Sequence, residues 1–176
     1  RGAARIASGG REPRVWDNPL HWRGTVEQTA NYVLVLDTLN FCFWGEPRWQ
    51  VAYGGTTYNG YWALAAALKQ ALDHGLPILD PAYLETIDAA RLGALLDGRH
   101  AIPLLAERAG ALRETGRVLR ERFGGRFSAC IAAAGGSATR LAALVVEAFP
   151  SFNDVATYHG EEVRFYKRAQ ILASDL

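Results

Sequence analysis

The sequence predicts a mainly α fold, a single globular multi-helix domain with at most a few short strands. Apolar residues recur at helical spacing along most of the chain, and cap and stop residues bracket those stretches. Strand character is confined to short segments beside turns. With 176 residues, 49% hydrophobic and 21% charged, the chain is long enough to bury one core. It contains no internal repeat, linker or low-complexity tract.

Taken in order, Thr25-Val-Glu-Gln28 is a capping box that opens the first helix. That helix is expected to run to about Trp44. It is apolar nearly all round, with Val26, Ala30 and Val33 on one side and Tyr32, Leu36 and Leu39 on the other, the pattern of a central buried helix. Gln50–Tyr53 reads as a short strand leading into Gly54-Gly55. A helix from Tyr61 to His74 follows, aligning Tyr61, Leu64, Leu68 and Leu72, with Gly75 as its C′ residue. Asp80-Pro81 starts a helical turn, and another helix covers about Asp88 to Asp97.

Residues 104–123 read as a long amphipathic helix. Leu105, Leu112, Val118, Leu119 and Phe123 face inward, Glu107, Arg113, Glu114 and Arg120 outward, and Gly124-Gly125 ends it. Ser137 caps the next helix, which carries Leu141, Leu144, Val145 and Ala148 as far as Pro150. Tyr158-His-Gly160-Glu is a turn flanked by two short strands. The last helix is expected over 164–176, with three stripes: Phe165, Ala169, Leu172 and Leu176 buried; Arg164, Arg168 and Asp175; and Lys167, Gln170 and Ser174 as a separate polar edge. No stop signal follows Asp175, and the chain has no methionine at all. The expectation is one domain over 1–176, incomplete at both ends or with methionine positions lost.

The net charge of +1 comes from basic residues scattered among acids, so no duplex nucleic acid partner is expected. No run of ~20 apolar residues exists to span a bilayer, and Arg1-Gly-Ala-Ala-Arg5 opens no signal peptide. Cys42 and Cys130 lie in apolar surroundings outside any CxxC, which reads as two buried free thiols in a reducing, cytoplasmic setting. No metal is expected, because no His, Cys or acidic residues have ligand spacing, and there is no GxSxG elbow.

Asp37-Thr-Leu-Asn-Phe-Cys-Phe-Trp44 places a carboxylate on the buried first helix. A bare buried charge costs several kcal/mol, so Asp37 needs partners. One reading is an internal salt bridge to Arg164 or Arg168. The other has Asp37 and Asn40 reading the edge of a flat heterocycle whose faces lie against Phe41, Phe43 or Trp62. Tyr61 and Trp62 open the second long helix, and Trp62 either packs on the neighbouring alanines or faces that ligand. His21, in Asn18-Pro-Leu-His-Trp22, lines a cleft near the first helix or lies at the surface, whereas His74 and His100 sit at helix ends facing solvent. Gly54-Gly-Thr-Thr-Tyr-Asn-Gly60 lacks the phosphate-loop spacings and reads as a turn.

The segment at 37–44, with Gly60-Tyr-Trp-Ala-Leu64, Gly75-Leu-Pro-Ile78, Glu121-Arg-Phe-Gly-Gly125, Val146-Glu-Ala-Phe-Pro150 and Phe165-Tyr-Lys-Arg-Ala-Gln-Ile-Leu172, resembles the queuosine salvage family over residues 15–176. That family is the queuosine 5′-phosphate N-glycosylase/hydrolase. The resemblance implies a fold similar to helical DNA glycosylases. It also implies hydrolysis of the N-glycosidic bond of queuosine 5′-monophosphate, without a cofactor. The products are ribose 5-phosphate and queuine, a 7-deazaguanine reused for tRNA modification. Lys167 is the matching position of an active-site lysine, whose role as a phosphate contact or as a group tuning the acid stays open.

The partner Asp is expected beyond Leu176, so Asp175 is not that residue and the 176 residues alone should be inactive. The candidate substrate-binding set is His21, Asp37, Asn40, Phe41, Phe43, Tyr61 and Trp62. The rival expectation is a non-catalytic helical module that binds queuine or a related base. A DNA base-excision enzyme would need a basic groove, which the charge balance disfavours.

Overall fold

The computed structural model describes residues 18–176 as eight helices, a single 3₁₀ turn and two antiparallel hairpins. The helices are α1 (Val26–Leu39), α2 (Gly60–Asp73), α3 (Pro81–Leu84), α4 (Ala89–Leu95), α5 (Leu105–Phe123), α6 (Phe127–Ala133), α7 (Ala138–Ala148) and α8 (Lys167–Asp175). The 3₁₀ turn is Pro150–Phe152. Strands β1 (Gln50–Tyr53) and β2 (Thr56–Asn59) pair Val51 with Tyr58, and β3 (Val155–Tyr158) and β4 (Glu161–Arg164) pair Ala156 with Val163. The fold is mainly α, as the periodicity predicts.

Helix α1 is the axis. Its Thr25 capping box forms as expected, and every residue from Ala30 to Leu39 is buried because α2, α5, α6 and α8 pack around it. Such an element is hydrophobic on all sides rather than amphipathic, which is why Asp37 and Thr38 within it require explanation. Val26, expected on the core stripe, is 87% exposed, because the first turn projects past the bundle. Asp80 caps α3, Asp88 caps α4 and Ser137 caps α7, each side chain accepting a backbone N–H. Gly75 closes α2 at φ +77, and the Leu76 N–H donates to Ala71 O at 2.9 Å. Gly116 lets α5 approach α3 closely: a Cβ there would stand 2.5 Å from Pro81 O.

Two boundaries and two added elements differ from the sequence reading. Helix α1 stops at Leu39, not near Trp44, with Asn40 as its C-cap and Cys42 at φ +45. The apolar character continues past Leu39, but the loop carbonyls are claimed by a side chain from α5, which periodicity does not register. Helix α6, unread in the sequence, fills a short apolar stretch between two glycine turns. β2 completes the first hairpin.

The last helix begins at Lys167, because Arg164 is still paired in β4. Of its expected buried stripe, Ala169 and Leu172 are buried, whereas Phe165 and Leu176 are 55% and 47% exposed. Cys130 is buried as expected, but Cys42 is exposed, carried outward by the loop. Among the described residues no helix is long and apolar enough to cross a membrane.

Candidate active site

The turn after α1 and the start of α8 face each other across an open cleft of about 950 Å³. Asn40, Phe41 and Phe43 form one wall, and Lys167 and Arg168 the other. The predicted site residues on the 40–43 segment and Lys167 therefore do meet, although they meet on a loop and not on a helix face. Gln170 and Ser174 do not join Lys167. They line a separate groove between α7 and α8, so the polar edge expected on the last helix divides between two surfaces.

His21, Tyr61 and Trp62 form a second cluster. His21 Nε2 lies 2.9 Å from the Tyr61 hydroxyl, and its ring stacks on Trp62 at 5.6 Å. Tyr61 meets Trp62 edge to face at 5.0 Å. None of the three lines the cleft at 40–43 and 167. Burial, then the nearby Arg23 charge, lowers the pKa of His21, which keeps its ring neutral at neutral pH.

Asp37 links the two groups. It is fully buried, accepts one hydrogen bond from Asn40 Nδ2 at 3.1 Å on Oδ1, and has no hydrogen-bond partner on Oδ2. Burial pushes its carboxyl up to about 7; the Asn40 bond opposes this, the charge of Asp175 adds to it and that of Arg168 opposes it. Burial also raises Tyr61, with Asp175 and Asp37 reinforcing the shift, and raises Asp175 itself. On this side of the site burial therefore disfavours the charged form of all three groups.

The internal salt bridge considered for Asp37 is not formed. Arg168 instead grips Asp154 through two bonds at 3.0 and 2.8 Å and donates to Thr38 O and Ser151 O. Arg164 is spent on Glu162 at 2.7 Å.

The group that sequence reasoning missed is Arg108 on α5. It is fully buried, donates Nε to Pro103 O and Nη2 to Cys42 O, both at 2.8 Å, and also donates to Leu39 O and Phe41 O. Its guanidinium lies over the Phe41 ring at 4.4 Å and the Phe43 ring at 5.1 Å, and Arg168 lies over Phe41 at 4.9 Å. A signal existed: Arg108 stands four and eleven residues before Leu112 and Leu119, on the buried stripe of the helix. A charge at a core position invites the question of its partner. Among the described residues no three His, Cys, Asp or Glu side chains converge as metal ligands.

A family model described as queuosine salvage protein matches residues 20–176. Curated proteins named queuosine 5′-phosphate N-glycosylase/hydrolase are similar to the chain. The one from Sphaerobacter thermophilus is 60% identical over 164 residues, covering 93% of this chain and 51% of that protein. The Bos taurus protein is 47% identical over 161 residues, with 89% and 47% covered. The Schizosaccharomyces pombe protein is 34% identical over 176 residues, with 91% and 51% covered. The chain spans about half the length of the curated relatives it matches. With six resemblance strings in order and a family match over nearly the whole described region, the chain belongs to the queuosine salvage protein family.

Proposed function

We propose that the protein containing this chain hydrolyses the N-glycosidic bond of queuosine 5′-monophosphate, and that the cleft between the 40–43 turn and Lys167 receives the nucleotide. The observation that carries this reading is the convergence on one cleft of an amide, two aromatic rings and a lysine. An amide reads the polar edge of a flat base, and rings supply apolar contact. The cleft lining also carries three cations, Arg48, Lys167 and Arg168, against the acids Glu107 and Asp154. Asp154 is already engaged by Arg168, and among the described residues Lys167 and Arg48 form no ion pair. That surplus suits a phosphate monoester, which favours the nucleotide over the free nucleoside.

The chemistry is dissociative. As the C1′–N bond lengthens, the sugar gains oxocarbenium character and the base departs with the bonding electrons. Water then forms the new C1′–O bond, keeping one hydrogen on the new hydroxyl, and its other proton passes through a carboxylate to the departing base. We assign that carboxylate to the part of the full-length protein beyond these 176 residues. Lys167 holds the phosphate and keeps the sugar in register. Asn40, its amide fixed by Asp37, orients the base. His21, Tyr61 and Trp62 line no part of this cleft, and Tyr61 among them lies within electrostatic reach of Asp37.

The test is queuine release by the full-length protein from queuosine 5′-monophosphate and from queuosine, followed by chromatography. Release from both at equal kcat/KM would overturn the phosphate assignment. Tight queuine binding with no release from either would favour a binding module.

A further inference from the structure

Helices α2 and α5 end in glycines that accept a left-handed turn without outside help, Gly75 at φ +77 and Gly124 at φ +58. Helix α1 ends differently. Its exit runs Asn40-Phe-Cys-Phe with Cys42, not glycine, at φ +45, and the orphan carbonyls of Leu39, Phe41 and Cys42 all accept from Arg108, a residue sixty-odd positions later. Arg108 has no carboxylate partner among the described residues, so its buried charge is satisfied only by carbonyl dipoles and two ring faces. Phe43 is held from another side by Trp49, stacked at 6.4 Å and 11°. The cleft wall is thus fixed from α5 and not by the loop's own sequence.

We propose that Arg108 is a positioning residue for the base-binding wall: its planar fork sets the path of residues 39–43, and so the placement of Asn40 and Phe43 toward a flat heterocyclic base. The proposal rests on the cleft being the nucleotide site. Only a guanidinium serves, since one plane must reach several carbonyls and cover two rings at once, whereas an ammonium is a point donor. Burial pulls the Arg108 pKa down to about 10, which leaves it charged at neutral pH.

The test uses the full-length protein with Arg108→Lys and Arg108→Met and reads two quantities. The first needs no ligand: the alkylation rate of Cys42 by iodoacetamide, mapped by mass spectrometry. Cys42 is exposed and its carbonyl is one that Arg108 holds. The second is the division between KM and kcat for queuosine 5′-monophosphate.

Arg108→Lys is expected to change Cys42 alkylation at least about threefold. It should raise KM about tenfold with kcat within about threefold, the signature of lost uniform binding. A wild-type alkylation rate, or a shifted rate with wild-type KM, overturns the proposal and leaves Arg108 purely structural. If Arg108→Met does not fold, the lysine variant alone decides. If the wild-type protein releases no queuine, the reading of the activity falls, and the alkylation rate still decides whether Arg108 sets the wall.

Discussion

Two fully buried ionisable side chains flank the turn at 39–43, and the protein treats them in opposite ways. Arg108 is satisfied by four carbonyl oxygens and lies over two aromatic rings, so its charge persists in the interior. Asp37 receives one amide N–H, feels the charge of Asp175 more than the opposing charge of Arg168, and is driven by burial towards its neutral form. Buried charge is tolerated where dipoles are many and pre-aimed, and is titrated away where they are few. One side of the turn is therefore a fixed frame, and the other is sensitive to pH in the neutral range.

The sharpest way to break this comparison is to strip the frame. Arg108→Met leaves four carbonyls without their donor and should cost on the order of 3–5 kcal/mol, read as a lowered denaturant midpoint with an unchanged slope. A loss below ~1 kcal/mol would mean water replaces the guanidinium and the frame is not fixed.

The next effect is on the pH-sensitive side. Below 3.8, the ordinary value for an aspartate, both folded and unfolded chains hold the Asp37 proton, and its burial is harmless. As pH rises to about 7 the unfolded chain ionises first, so the Asp37 contribution to stability is lost through that window. Asp37→Asn should remove this slope and stabilise the fold by on the order of 2 kcal/mol at pH 8, measured by melting at a series of pH values. An unaltered pH profile would show that Asp37 remains charged with partners of its own.

A neutral pair gives a smaller effect. Thr38, between Asp37 and Leu39, has its hydroxyl 3.2 Å from that of Thr115 in the core. Thr38→Val orphans Thr115 and should cost about 1 kcal/mol. The exposed Arg117–Glu121 pair sets the lower bound: at 3.0 Å and over half exposed, Arg117→Ala should change stability by less than ~0.5 kcal/mol.

The comparison also explains what the sequence disclosed. Cap chemistry is local, so Thr25, Asp80, Asp88 and Ser137 announce their helices correctly. The end of α1 is non-local. Nothing in Asn40-Phe-Cys-Phe43 reveals that α5 supplies an arginine to its carbonyls, so the helix reads several residues too long. The same blindness concealed Arg108 and the engagement of Arg168 by Asp154, which had been free to serve Asp37 on sequence grounds. Residues 40, 41 and 43 stand out as polar and aromatic types beside an apolar helix, Lys167 stands out as a polar edge and through the family resemblance, and the four share one cleft. Their division from His21, Tyr61 and Trp62 was not legible, because it depends on how α1, α2 and α8 cross.

The central claim is that Lys167, facing the 40–43 wall, works on a nucleotide. Steady-state release of queuine from queuosine 5′-monophosphate by full-length wild-type and Lys167→Ala protein tests it most directly. The expected result is release by the wild type and a fall in kcat/KM of about 100-fold or more in the variant, with the melting temperature unchanged. Release by Lys167→Ala at the wild-type rate would contradict the account.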